Sequence, residues 1–175
     1  MNFSDSIQRL DSELPTAKNA GELVQLLQAE VKRMLGINTV WLFLQDAEDG
    51  DLLHLLTYSG TLEESATPKI SIIPVKGDPF LEEVIYHKKA VYCLEAMDDP
   101  RTNKELVEAI NVRTIFNTPI SMGNECLGVL GTGTFAEEGT RALSMVEQDY
   151  LRTLGHHIAE AIQRFHTPHS GGTAP

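Results

Sequence analysis

Five polar residues crowd one short stretch of the chain: Asp98, Asp99, Arg101, Asn103 and Lys104. A guanidinium offers a forked pair of donors, and carboxylates accept from amines and hydroxyls. Together they suit recognition of the head group of a small polar molecule. The competing reading is a solvated loop whose aspartates hold the turn. Just downstream, Arg113, Phe116, Asn117 and Thr118 lead into and lie on an apolar run. A polar side chain inside such a run costs free energy unless it finds a partner. A bound molecule supplies one, and so does a neighbouring backbone group. Alternation places Ile115, Asn117 and Pro119 on one face, and Phe116, Thr118 and Ile120 on the other. Thr132 and Thr134 share a face with Leu130 and are further candidates for ligand contact, or ordinary strand threonines.

Other groupings carry less chemistry. Gly128, Gly131 and Gly133 imitate a phosphate loop, but no helix opens after them and no Lys-Ser or Lys-Thr follows. Phosphate cradles need backbone amides at a helix start, so these glycines mark a bulge or a close approach. His156 and His157 diverge by about 100° on a helix and cannot hold one metal between them. His156 with Glu160 gives only two ligands, a poor site. His54 and His87 are the remaining candidates for an axial haem ligand. No Ser, His and Asp arrangement appears, and neither cysteine, Cys93 or Cys126, has a plausible base nearby in sequence. No catalytic and no metal-ligating residue is assigned.

The elements that must position these groups follow from periodicity and caps. Ile7, Leu10 and Leu14 form a short amphipathic helix that stops near Pro15. Asn19 caps a second helix, with Glu22 as its capping-box partner and Gly36 as its stop. Thr39–Gln45 and Leu52–Tyr58 are strands joined at Asp49-Gly50. Lys69–Val75 is a short strand. Asp78 caps a helix with Pro79 at its first position, running to about His87. Lys89–Leu94 is a short strand, Glu95–Asn103 a loop and Lys104–Ile110 a short helix. Two apolar runs around the turn Gly123-Asn124-Glu125 form a hairpin in the middle of a sheet. Ser144 caps a last helix with Glu147, reaching about Phe165. The fold class is α+β: a mainly antiparallel sheet, terminal helices on one face, and short helices and loops roofing a pocket on the other.

The 175 residues, 42% hydrophobic, suffice for one domain with a real core. Against 14 basic side chains stand 25 acidic ones, a net charge of −11. Such a chain repels phosphate backbones and anionic lipid heads, so neither nucleic acid nor a membrane surface is an expected partner. No apolar run approaches the ~18–20 residues that span a bilayer. The start lacks the features of a secretory signal, and two thiols fit a reducing cytoplasm.

The order and spacing of several pieces resemble a GAF domain, a cousin of the PAS fold. These are Leu35 to Leu44 after the opening helix; Asp98-Asp-Pro-Arg101 with Asn103-Lys-Glu105; Arg113 to Ile120; Leu127 to Leu130; and Glu147 to Ile162. The likeness covers about residues 19–165. It implies a central sheet of about six strands and a ligand pocket under a loop-and-helix layer. It also implies dimers formed through the terminal helices. Members bind cyclic nucleotides, haem, bilins, amino acids or metal, or bind nothing. The Asn-Lys, Phe and Asp-Glu motif of cyclic-nucleotide members is missing from the last strand and the entry to the last helix. Cys93 fits poorly as a bilin attachment point. The clustered cysteines of the methionine sulfoxide reductase members are absent. No cofactor is identified: an unknown small ligand is expected, with a cyclic nucleotide or haem as lesser alternatives.

Residues 1–18 read as a helical extension, 19–166 as the sensory domain and 167–175 as a tail or linker. Leu151, Leu154, Ile158, Ala161 and Phe165 recur at three, four, three and four, a seam that could cover the sheet within the chain, and on a face wide enough to serve a partner helix as well; a parallel homodimer is expected. The expectation is a cytoplasmic signalling module that binds a small molecule and passes its state to an output domain of a larger protein. The alternatives are a pocket-less dimerisation module and a small thiol redox enzyme.

Overall fold

The computed structural model describes residues 2–62, 64 and 67–165. Two helices open the chain, α1 (Phe3–Glu13) and α2 (Ala20–Leu35), joined by a 3₁₀ turn at Leu14–Thr16. Asn2 caps α1 by accepting from the Asp5 N–H at 2.8 Å. Asn19 caps α2 by accepting from the Glu22 N–H at 2.9 Å. The Glu22 carboxylate reaches back to the Lys18 N–H and the Asn19 side chain rather than to the Asn19 backbone expected of a capping box. Gly36 ends α2 in the left-handed conformation, as a glycine at that position allows.

Six strands follow: β1 (Thr39–Gln45), β2 (Leu52–Ser59), β3 (Ile72–Pro74), β4 (Val91–Cys93), β5 (Val112–Met122) and β6 (Glu125–Phe135). They form one antiparallel sheet in the order β3-β2-β1-β6-β5-β4. The β5–β6 hairpin lies inside the sheet, flanked by β1 and β4. Three short helices sit between strands: α3 (Thr67–Ile70), α4 (Pro79–Ile85) and α5 (Lys104–Ile110). Residues 69–70, expected to begin a strand, instead complete the turn of α3, which Pro68 favours by fixing a helical φ near its start. The chain closes with α6 (Met145–His157) and α7 (Ala159–Phe165), where a single helix was expected. The break is slight, because Ile158 still donates to Leu154 O (3.0 Å) and Ile162 to Ile158 O (2.8 Å). The expected tail, 167–175, lies outside the described residues.

Both faces of the sheet are covered. On one, α1, α2, α6 and α7 bury a cluster that includes Leu10, Leu27, Val31, Leu42, Phe116, Ile120 and Leu154. α1 is built into this layer, since Leu10 is fully buried. A buried polar joint ties three of its helices: Ser6 Oγ donates to Glu30 Oε2 and bonds Tyr150 Oη, both at 2.7 Å. Arg9 and Arg33 meet the other oxygen of Glu30. Burial pushes the Tyr150 phenol up to about 12. Gly155 lets α6 lie close on β5, because a Cβ there would sit 2.9 Å from Pro119 O.

The seam expected to join two copies is a correction. Leu151, Leu154, Ile158 and Ala161 are buried within the chain, and Phe165 packs half-buried on the same core. The sheet, not a partner helix, takes this stripe, because β1, β5 and β6 present a second apolar face that must be covered. Leu154→Ala is therefore expected to cost about 2–5 kcal/mol in urea unfolding, while Val146→Ala, on the exposed start of α6, costs under about 0.5 kcal/mol. A small loss for Leu154→Ala that depends on protein concentration would restore the intermolecular seam.

Candidate ligand cavity between the sheet and its roof

The other face of the sheet is closed by α3, α4, α5 and the loop of residues 94–103. Its apolar cluster includes Trp41, Phe43, Leu53, Phe80, Val84, Val107, Val129 and Phe135. Packing is incomplete. A cavity of about 100 Å³ remains between β1, β5 and β6 below and α4 and α5 above. Its lining is almost wholly apolar, with Trp41, Phe43, Phe80 and Phe135 as the aromatic members. Four polar residues line it: Asp78, Thr102, Asn103 and Asn117. No Lys, Arg or His is among its described lining residues.

On the floor, Trp41 Nε1 donates to Asn117 Oδ1 at 3.0 Å, joining β1 to β5 across β6. β6 makes room for this bond at Gly131, which pairs with both Trp41 and Asn117. A Cβ at Gly131 would fall 1.8 Å from Trp41 Nε1 and 2.3 Å from Asn117 Oδ1. Hence a glycine stands there, for close approach rather than for phosphate. Asn117 is buried, and its Nδ2 donates to no other described residue.

On the roof, Asp78 caps α4 by accepting from the Leu81 N–H at 3.2 Å, and it is only 8% exposed. Burial raises its carboxyl above the usual range, opposed by the amides of Leu81 and Phe80 and aided by Glu82. Asn103 caps α5 by accepting from Leu106 N–H at 3.2 Å, and Thr102 donates to Ala96 O at 2.5 Å.

Of the residues expected to meet a ligand, only Asn103 and Asn117 line the cavity. The charged roof cluster is spent on itself. Arg101 holds Asp99 through Nε (2.9 Å) and Nη2 (2.7 Å), donates to Tyr92 O (3.1 Å) and lies over the Phe80 ring at 5.3 Å. That pairing keeps the Asp99 carboxyl below its ordinary value. Lys104 donates to Asp99 O and to Thr102, and Asp98 is exposed to solvent. Arg113 pairs with Glu95 at 2.7 Å, outside the cavity.

Phe116, Thr118, Thr132 and Thr134 are corrections, because none lines the cavity. Phe116 belongs to the helix-side core, and Thr118 lies against Gly155 of α6. Thr132 Oγ1 donates to Thr39 O at 2.7 Å, and Thr134 Oγ1 accepts from the Thr114 N–H at 3.1 Å. Period-two alternation groups these residues correctly but does not say which face is hollow when both are buried. Sequence reasoning missed Trp41, Phe43, Phe80, Phe135 and, as a lining residue, Asp78. The one signal available was a glycine in β6 opposite a tryptophan, which needs the register to be read.

Neither thiol is poised to react. Burial, with Asp99 nearby, pushes Cys93 up to about 11, and burial also raises Cys126. Thiolate chemistry needs the opposite shift. His54 pairs with Asp46 at 2.7 Å, and no group of three His, Cys, Asp or Glu residues suited to a metal is found among the described residues.

The architecture is a single antiparallel sheet with helices at both ends of the chain on one face and a roofed cavity on the other. A family profile described as GAF domain matches residues 17–163. The chain belongs to the GAF domain family. Among solved structures, it superposes on the GAF domain of an Acinetobacter phosphoenolpyruvate-protein phosphotransferase with a TM-score of 0.73, at 15% identity over 98% of this chain and 99% of that one. It also matches free methionine-R-sulfoxide reductase from Neisseria meningitidis in complex with its substrate (TM-score 0.70, 16% identity, 92% and 88% covered). A third match is the chromophore-binding domain of a Stigmatella aurantiaca bacteriophytochrome (TM-score 0.67, 14% identity, 92% and 60% covered). Identities this low establish the fold and not the ligand. No curated protein matches the sequence significantly.

Two outcomes test the site geometry. Gly131→Ala is expected to cost about 1–3 kcal/mol and to shift the emission of the chain's one tryptophan, since the indole has to leave Asn117. Unchanged emission and stability would show that the Trp41–Asn117 bond is absent. Asp78→Asn keeps a good capping residue and removes a charge. Because the folded carboxyl titrates above 3.8, the stability Asp78 contributes is full below that value and is lost as pH rises through the folded one. Asp78→Asn should therefore gain on wild type as pH climbs from about 3 to 7, read from urea midpoints. A wild type that gains on the variant over that range would contradict the burial of this charge.

Proposed function

We propose that this chain is a regulatory module that binds one small, largely apolar molecule between its sheet and roof. It passes occupancy through its terminal helices to an output domain of a larger protein. The observation that carries this reading is the aromatic-lined cavity with a few polar groups, the usual character of a small-molecule site. The bacteriophytochrome match is a chromophore-binding domain, which agrees with a guest held by this fold. The route outward is short: Asn117 faces the cavity, while its neighbours Phe116 and Thr118 pack in the helix-side core and on Gly155 of α6.

The module performs no chemistry of its own, in keeping with two thiols held protonated by burial. A cyclic nucleotide would bring a phosphate to a lining without a described cation, and a haem would find no described histidine there. The free thiols suit a reducing cytoplasm, and no described helix is long and apolar enough to cross a membrane. A net charge of −11 disfavours nucleic acid. Homodimers would use the outer face of the helical layer, where Met145 and Val146 stand exposed, since the inner stripe is committed to the core. Residues 19–166 serve as the sensory domain, with 1–18 as a helical extension packed onto it and 167–175 as the link onward.

A second reading, a dimerisation module whose cavity is a packing void, draws on size: about 100 Å³ is below the ~300–1,000 Å³ common for ligand pockets. A fragment screen by thermal unfolding separates the two. A true ligand near 100 times its Kd should raise the wild-type Tm by ~5–10 °C and leave Ile110→Trp, which fills the cavity, unmoved. Hits that shift both proteins equally, or an empty screen with an unchanging oligomeric state, would favour the dimerisation module.

A further inference from the structure

We infer that the cavity selects a small organic amine: an ammonium directed at Asp78, an aromatic or aliphatic body against Trp41 and Phe80, and a hydrogen-bond acceptor for Asn117. This rests on the reading that the cavity binds a ligand, and it names the ligand's chemical class.

Asp78 is a carboxylate in an apolar cavity, nine-tenths buried, with no described cation beside it. Its cap to the Leu81 N–H uses one oxygen, Oδ1. A cap alone needs no charge, because Ser, Thr or Asn caps a helix as well. The roof cations that might have neutralised it are engaged elsewhere, Arg101 with Asp99 and Tyr92 O, and Lys104 with Asp99 O and Thr102. An acidic neighbour, Glu82, adds repulsion. A carboxylate already stripped of water by the fold recovers most from a cation that enters its cavity.

The second observation is independent. Asn117 is 6% exposed, lines the same cavity and has its Oδ1 taken by Trp41, while its Nδ2 protons meet no described acceptor. An acceptor on the ligand fills that need. The remaining wall is aromatic and aliphatic and takes an apolar body. A cavity of about 100 Å³ restricts the ligand to a small molecule. Phosphate and carboxylate head groups are disfavoured by the same carboxylate that draws the amine.

Three probes with one phenolic body and different heads test this on the whole chain: tyramine (cationic), tyrosol (neutral) and 4-hydroxyphenylacetate (anionic). The indole N–H of the chain's one tryptophan is the reporter, because Trp41 lies in the cavity and bonds Asn117. NMR titration should give tyramine a roughly 10–100-fold lower Kd than tyrosol, with the acid weakest. Asp78→Asn, which keeps the cap, should erase that preference. Asn117→Ala should weaken all three alike. Equal binding of tyramine and tyrosol to wild type, with the indole responding to both, would overturn the amine assignment and leave the cavity reading standing. An indole resonance that none of the three moves would remove both.

Discussion

The whole molecule depends on a sheet with two apolar faces, each of which has to be kept from water. β1 shows this most clearly: Thr39 through Leu44 are all buried, odd and even positions alike. A strand with that pattern needs cover above and below. The two covers differ in kind. Four helices meet one face with long aliphatic stripes and interlock with it, to the point that α6 needs Gly155 to lie down. Short helices and a turn-rich loop meet the other, and such pieces cannot fill space as evenly. The cavity is the residue of that difference.

Polar groups inside the two layers follow the same division. On the helix side, Ser6, Glu30 and Tyr150 satisfy one another and are closed off by Arg9 and Arg33. A satisfied buried network rigidifies its surroundings and offers nothing to a ligand. On the roof side, the half-buried charges Asp99, Arg101 and Lys104 hold the loop together. Among the cavity-lining groups, Asp78 and Asn117 are left partly unspent, while Glu95 Oε2 of the roof loop is buried outside the hollow without a partner among the described residues. Polar residues therefore do structural work where they are dense and stand ready for recognition where they are sparse.

Much of the architecture was legible in the sequence because each element carries its own punctuation. Asn19, Asp78 and Ser144 cap where caps were read, and Gly36 stops α2 in the left-handed region. The hairpin around Gly123 falls where two apolar runs flank a polar turn. The alternation of Ile115 and Asn117 against Phe116 and Ile120 also holds. The site was legible only in part. Density of charge pointed to Asp98–Lys104, yet charges placed side by side neutralise one another before any ligand arrives. Thr132 and Thr134 looked available, but a strand threonine has backbone carbonyls and amides within reach. Trp41 could not be linked to Asn117 from sequence, because 76 positions separate them and only the sheet order brings them together. Asp78 was visible as a cap and silent as a wall of the cavity, since a cap's burial depends on what the rest of the chain lays over it.

The central claim is that the roof side of the sheet keeps a dry hollow able to accept a guest. Crystals held under xenon measure this directly, because xenon enters apolar cavities and is seen by its scattering. The account expects ordered xenon between Trp41, Phe80 and Phe135. Crystals that take up xenon elsewhere or not at all, with the Phe80 and Phe135 rings in contact across the space, would contradict it.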